Sequence, residues 1–350
     1  MEKSPSVILE RPGKLSVREI PIPIIPGDIE YVDMRAVGIC GSDVRYYLGE
    51  NPWALHTLGR NVPSPPNMVL GHEVAGVATR DGRAVPVAIL AYKACGHCRY
   101  CLAGDENLCS DMEHFGHSAG WREMEYFPGG MANRFTIWKD FAYELPGTIG
   151  LEEATFLDGL AVALHALDQG GISDGKRVAS IGLGPIGMLA SLAAKASGAS
   201  FVTGCDTAPF PVELARTSGI EDAMQGGPAD LSRRLGDGST VDIVIDTVGT
   251  AESIEYGLRM LEKKGRLVLL AVHEDDVPVR GTRLSGERSI VTSSNSRYPD
   301  FPRAIELLAS RAFDVSPLVT HRFCLKDIQR AFDLLLNKQN ERVFKVVIVP

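Results

Sequence analysis

No stretch of eighteen apolar residues interrupts this 350-residue sequence, and residues 1–5 do not lead into an apolar signal core. A chain with neither is expected to be cytoplasmic, unexported and without a membrane partner. Positive charge is also short. Against 44 acidic residues stand 36 lysines and arginines, a formal charge of −8, which argues against a nucleic-acid footprint. An even cysteine framework is missing too: seven cysteines in a long chain fit metal ligation in a reducing compartment better than disulfides. The remainder is average, with 45% hydrophobic and 23% charged residues, enough for two domains that each bury a core.

The residues that carry chemistry begin at 38–43, Gly-Ile-Cys-Gly-Ser-Asp, and continue at Gly71-His72-Glu73. Cys40, His72 and Glu73 offer a thiolate, an imidazole and a carboxylate, a set that suits zinc with one position open to a substrate alcohol, and Ser42 stands two residues from the thiolate. A second group, Cys95, Cys98, Cys101 and Cys109, sets three thiols at intervals of three and returns the fourth from a short loop. That spacing predicts a closed structural zinc with no place for substrate. His97, inside this knuckle, is expected to be exposed. His114 and His117 have no third ligand nearby and are expected to be loop residues, with a part in shaping a substrate pocket as the functional alternative.

A third group follows the predicted strand 177–181: Gly182-Leu-Gly184-Pro185-Ile186-Gly187 and then an alanine-rich helix, 188–197. Gly182 permits a tight turn, Gly184 lets the backbone approach a pyrophosphate, and Gly187 lets helix pack closely on strand. The next strand, 201–205, ends at Asp206, placed to accept from a ribose 2′-hydroxyl and to repel a 2′-phosphate. Residues 207–212 add no lysine or arginine, so NAD rather than NADP is the expected cofactor. Asp246, closing the strand 241–245, suits either the cofactor or a helix cap. Val248 beside it and Arg297, after the strand 289–292, are further candidates for cofactor contact.

Residues 6–36 alternate short apolar runs with Pro21, Pro23 and Pro26, the pattern of small strands with braced turns. Residues 46–66, rich in proline, asparagine and glycine and carrying Trp53, are expected to form a loop acting as lid or pocket wall. From 151 to 167 the pattern is helical. It bears Asp158 among apolar neighbours, a costly position unless the carboxylate is paired or coordinated, and His165, expected in the core. Strands and helices alternate from there to 292, which implies a parallel sheet with helices on both faces. The tail adds two helical faces and an apolar strand at 343–349, and Cys205 and Cys324 are expected to be small core residues.

In combination these motifs resemble the zinc-dependent medium-chain dehydrogenases of the alcohol dehydrogenase superfamily, over essentially the whole length. Tyr46, after Gly-Ser-Asp-Val, and Pro-Leu-Val-Thr-His-Arg-Phe at 317–323 are similar to the sorbitol, or polyol, branch. The resemblance implies an α/β protein. Residues 1–155 and 294–350 would form a GroES-like, mainly β catalytic domain with a structural zinc lobe at 95–109, and residues 156–293 a Rossmann domain with a doubly wound parallel six-stranded sheet. It also implies two zinc ions per chain, NAD, a small-molecule alcohol as substrate, and a homodimer or homotetramer.

Asp158-Gly159-Leu160 stands where relatives carry Glu-Pro-Leu, so the resemblance implies Asp158 as a ligand of the catalytic zinc, one methylene short. Three anions around the ion would weaken its acidity, so Glu73 is expected to coordinate transiently or through water. Arg45 stands where relatives carry a relay histidine. Arginine does not deprotonate, so Arg45 is expected on the cofactor phosphate and the proton is expected to leave by Ser42. Ser42, Tyr46, Trp53 and Asp158 are the expected substrate contacts. The implied reaction is hydride transfer between a secondary alcohol of a polyol, sugar or cyclitol and NAD. An amino-alcohol dehydrogenase is the nearest alternative; a zinc-free quinone reductase, which would lack these thiols and His72, and a non-catalytic relative stand further off.

Overall fold

The computed structural model describes residues 2–118, 120–236, 241–271, 276–337 and 341–350, with the backbone alone at 56–58. Two compact units result: Met1–Asp158 with Ile305–Ser310 and Val315–Pro350, and Gly159–Ala304 with Arg311–Asp314. The second unit reaches past 293 because Asp300 lies 3.3 Å from His165 and Arg303 lies 2.7 Å from Asp168, which ties residues near 300 to the helix Leu157–Gly170.

In the first unit the larger sheet runs Ala142–Glu144, Arg83–Ile89, Glu73–Arg80, Ile29–Gly38, Lys345–Val349, Val319–Cys324, and Arg134–Trp138 also pairs with Ile29–Gly38. Ile29–Gly38 alternates as a half-buried strand should: Glu30, Val32 and Met34 turn in, Tyr31 and Arg35 turn out. Its register against Glu73–Arg80 then slips between Met34 and Ala36, and the last three residues are all buried. Such an irregularity bends a strand and re-aims the residues beyond it, here Cys40. Beneath lies a core that includes Val32, Met34, Val74, Phe135, Trp138, Phe332 and Ile348. Met68–Val69, just ahead of His72, is the outer strand of a smaller three-stranded sheet with Lys3–Arg11 and Lys14–Pro21.

The second unit holds a parallel six-stranded sheet in the order Met224–Gln225, Phe201–Asp206, Arg177–Ile181, Val241–Asp246, Leu261–Leu269, Ser289–Thr292. The chain enters at the middle and winds outward twice, so the order reverses between Arg177–Ile181 and Val241–Asp246. Ligands of open α/β sheets gather at the carboxyl ends of strands flanking that reversal.

Two local expectations differ from what forms, and one strand was not expected. The 46–66 stretch contains a helix, Pro52–Leu58: Asn51 accepts the Ala54 N–H at 3.1 Å, Pro52 takes a first-turn place where no donor is needed, and Gly59 ends it in the left-handed region (φ 65°). The helix expected from 151 starts later, as a 3-10 turn Glu153–Phe156 followed by Leu157–Gly170. Met224–Gln225 supplies an edge strand too short for any periodicity to announce. No helix among the described residues is long and apolar enough to cross a membrane.

Candidate metal and cofactor sites

Two groups of metal-ligand side chains form in the first unit, each with one donor atom per residue within 4.8 Å of all the others: Cys95, Cys98, Cys101 and Cys109, and Cys40, His72 and Glu73. Among the described residues no third such group occurs, so His114 and His117 do not build one.

One short segment makes the thiol group. Cys98 precedes the one-turn helix Arg99–Ala103, and its amide donates to the Cys95 sulfur at 3.4 Å. The amides of Cys95 and Asp111 donate to the Cys109 sulfur at 3.3 and 3.4 Å. Backbone hydrogen bonding draws the Cys98 pKa down to about 6, while burial pushes Cys101 up to about 12. One thiol ready to ionise, beside others that need a cation to do so, fits a bound zinc ion. His97 lies exposed outside the sulfurs, its Nδ1 2.9 Å from the Cys95 carbonyl oxygen.

The mixed group is assembled from distant parts. Cys40 follows the strand Ile29–Gly38 and caps the helix Gly41–Leu48, whereas His72 and Glu73 lie at the start of Glu73–Arg80. Asp43, wholly buried, joins the two: one carboxylate oxygen accepts the Cys40 N–H at 2.9 Å and the other the Gly71 N–H at 3.1 Å. The loop with the thiol is thereby fastened to the loop with the imidazole. Sequence reasoning passed over Asp43, though an acidic residue three places after a helix cap is a capping signal.

Glu73 is ion-paired with Lys345, which is 2% exposed at the start of Lys345–Val349. A Cβ on Gly38 would come to 2.5 Å of Glu73 Oε2 and 2.6 Å of Lys345 Cε, so a side chain there would press on this pair. Lys345 was also missed, and its signal was a lysine inside an apolar strand, where a charge needs a partner.

Burial disfavours charge on His72, yet the Cys40 and Asp43 anions outweigh it and raise its pKa well above the ordinary imidazole value. Its buried Nδ1 lies 3.9 Å from Asp43 Oδ1, beyond hydrogen-bond distance. A buried, anion-rich set of sulfur, nitrogen and oxygen donors fits a cation such as zinc.

Asp158 stays outside this tight group. It is half-buried; burial pushes its pKa up to about 6, with His72 pulling it down and Glu73 pushing it up. Glu73 lies inside the tight donor group and Asp158 outside it, and Lys345 is ion-paired with Glu73. Ser42 Oγ is buried with no hydrogen-bond partner. Arg45 is held by Glu50 at 2.6 Å. Tyr46 is 1% exposed, its hydroxyl 3.1 Å from His117 Nδ1, and Trp53 is half-buried. The His117 ring lies against those of His72 and His114, at 4.5 and 4.2 Å between centroids.

In the second unit, Gly182 adopts φ 85°, and a side chain on Gly187 would run into the Gly182 carbonyl oxygen. A Cβ on Gly184 would meet nothing within 4 Å, so open space lies over the residue that caps the helix Pro185–Ala196. Pro185, Ile186 and Gly187 form the first turn of that helix; Pro185 has no N–H to give, so the amides of Ile186 and Gly187 are the ones suited to a phosphate. Asp206 accepts the N–H groups of Leu183 and Ala208, each at 2.9 Å, which fixes its carboxylate beside the turn. These features fit a dinucleotide. Val248 lies beside Gly182, with Cγ2 3.1 Å from where a Cβ would stand. Asp246 is consumed locally: it accepts the Val248 and Gly249 N–H groups at 2.8 and 3.0 Å and the Ser253 hydroxyl at 2.6 Å, which decides for the cap. Arg297 is held near the start of Asp300–Ala309 by Asp168 and Asp300, at 3.6 and 3.7 Å.

Residues 26–147 match the family model of the alcohol dehydrogenase GroES-like domain, and residues 185–310 that of the zinc-binding dehydrogenase. D-xylulose reductase A of Aspergillus niger is 31% identical over 346 residues, covering 94% of this chain and 92% of that protein. The chain belongs to the zinc-binding alcohol dehydrogenase family. Sorbitol dehydrogenase of Mus musculus is 30% identical to this dehydrogenase over 342 residues, covering 94% and 91% of the two chains. The crystal structure of L-idonate 5-dehydrogenase from Escherichia coli matches the dehydrogenase with a TM-score of 0.88 at 26% identity, over 99% of this chain and 98% of that one. The dehydrogenase therefore combines a GroES-like β unit with a Rossmann unit.

Proposed function

We propose that this dehydrogenase oxidises a secondary alcohol of a polyol, sugar alcohol or cyclitol with NAD, in the cytoplasm. The observation that carries the reading is the Ser42 hydroxyl, buried and without a hydrogen-bond partner, two residues from the cysteine of the Cys40–His72–Glu73 set. Three relatives named for polyhydroxy compounds support the substrate class. A reducing compartment suits four thiols that are all free of disulfides.

Zinc held by Cys40, His72 and Glu73 would supply a Lewis acid that makes the substrate hydroxyl more acidic, and NAD would supply the hydride acceptor. The chain's own residues do the remaining work. Ser42 Oγ accepts the hydrogen bond of the substrate hydroxyl and hands the proton on to water. Arg45 keeps its own proton and holds Glu50, so it is no relay. Asp43 pins the two donor-bearing loops, and Lys345 offsets the charge of Glu73. Gly184 and the first amides of Pro185–Ala196 take the pyrophosphate, while Asp206 accepts from the ribose and repels a 2′-phosphate.

The test is a panel of initial rates with NAD⁺ and NADP⁺ against polyols, cyclitols, amino alcohols and simple alcohols. NAD⁺ with a polyol or cyclitol is expected to lead. Ethanol, benzyl alcohol or an amino alcohol outrunning every polyol and cyclitol would overturn the substrate class, and a preference for NADP⁺ would overturn the role of Asp206. A homodimer or homotetramer is part of the same proposal. Ser289–Thr292 is the outer strand of its sheet, with backbone groups open to pairing, and a monomer in light scattering would refute that part.

A further inference from the structure

We infer that Lys345 is a positioning residue of the metal centre: its ammonium competes with the cation for the Glu73 carboxylate, and so keeps the Cys40–His72–Glu73 set from holding zinc as tightly as its three donors alone would. The inference takes zinc at that set as given. It goes beyond the polyol reading, because it concerns how the ion is held whichever alcohol it serves.

Three neighbouring strands bring the pair together. Glu73 stands opposite Gly38 in the register of Glu73–Arg80 against Ile29–Gly38. Along the other side of Ile29–Gly38 runs Lys345–Val349, and the Ile39 N–H donates to the Val346 carbonyl at 2.9 Å. The acid and the base therefore come from strands on either side of Gly38 and meet over a residue that has no side chain. A Cβ there would stand 2.5 Å from Glu73 Oε2 and 2.9 Å from Lys345 Nζ, so the meeting needs a glycine. Phe156, 1% exposed, sets its ring centroid 5.5 Å from the same ammonium. At 2% and 5% exposure, Lys345 and Glu73 have little water to fall back on, and each charge depends on the other.

The sign of the effect on a metal follows from this pairing. Cys40 and Glu73, as anions, each bring a negative charge to the donor set, and Lys345 cancels one of them. Oε2 of Glu73 already accepts from the ammonium. A cation that draws the carboxylate to itself loosens that contact and leaves a buried ammonium with a weaker partner, a cost that opposes metal binding. The ion is left less fully neutralised and polarises a substrate hydroxyl more strongly. Asp43 works in the opposite sense: it fastens the two donor loops through backbone amides, and so strengthens the hold on the ion.

The experiment is a chelator titration of the zinc-loaded protein, with released zinc read by an indicator dye. It covers the wild type, Lys345→Met, Lys345→Arg, Glu73→Gln and the Lys345→Met/Glu73→Gln double variant. Cys40→Ser identifies the release that belongs to the mixed set, and the ion of the four thiols serves as internal control. Lys345→Met is expected to need about tenfold more chelator to lose the mixed-set ion, the scale on which residues behind metal ligands act. Lys345→Arg, which keeps the charge, should stay near the wild type. Glu73→Gln should release the ion earlier, and adding Lys345→Met to it should change little, because the contested carboxylate is gone. Should Lys345→Met fail to fold, Lys345→Gln, which is neutral but can still donate to Glu73, must show the same direction. Earlier or unchanged release on loss of the charge at position 345, as for a residue that only supports the fold, would overturn the inference and leave the polyol reading intact. Equal tightening with and without the Glu73 carboxylate would overturn it too. A wild type that takes up zinc at the four thiols alone would overturn the zinc-dependent reading, and this inference with it.

Discussion

The thiol lobe and the Cys40–His72–Glu73 centre gather their donor atoms equally tightly, yet they are built by opposite means. A single segment, 95–109, supplies the first, with four like donors and backbone amides from within and just beyond that segment aimed at the sulfurs. The second draws unlike donors from two loops and depends on two buried charges outside the donor set, Asp43 and Lys345. Four thiolates saturate an ion, whereas three protein donors leave room for a substrate. A site whose task ends with binding can be local. One that must hold a metal and still admit a ligand needs its donors held from outside, and here that falls to residues far apart in sequence.

The largest effect that separates the two comes from removing a sulfur from each. Cys40→Ser is expected to lower kcat/KM by at least ~10³-fold with a thermal midpoint near that of the wild type, because the Lewis acid is lost and the fold is not. Cys98→Ser should reverse the pattern, lowering the midpoint by several degrees while the folded fraction keeps its turnover. Calorimetry and steady-state kinetics on the same samples decide this, and equal loss of turnover in both variants would erase the distinction.

Next in size is Lys345→Met, which leaves the Glu73 carboxylate buried without its partner and should cost about 3–5 kcal/mol in urea unfolding. Adding Glu73→Gln should restore most of that loss, a coupling that a double-mutant cycle measures directly. Asp43→Asn is expected to weaken zinc at the mixed site alone by about 10–100-fold, read as one ion lost early and one late in a chelator titration. The smallest effect belongs to Arg45→Ala. Its pair with Glu50 is 32% and 44% exposed, so stability should move by no more than about 1 kcal/mol. A large rise in the KM for NAD⁺ in that variant would instead place Arg45 on the cofactor.

The same contrast explains what could be read from the residues alone. The four thiols and the 182–187 turn were legible because spacing within one segment is the mechanism itself, and the parallel sheet was legible from its alternation of strand and helix. The pair of Glu73 and Lys345 joins residues 272 positions apart and closes only when the last strand pairs with Ile29–Gly38. No local pattern carries that. Asp43 and the Pro52–Leu58 helix were visible as capping chemistry, but a stretch rich in proline and glycine drew attention to turns instead. The meeting of His117 with His72 depends on Gly116 packing on a distant backbone, which spacing does not encode. The family's phrase marks the place of Asp158, while the carboxylate inside the tight donor group is that of Glu73.

The most direct test of the account is anomalous diffraction from crystals of the purified protein at the zinc absorption edge. Two peaks per chain are predicted, one inside the four thiols and one within bonding distance of Cys40, His72 and Glu73. A single peak at the thiols, with the other three side chains closed on one another, would contradict it.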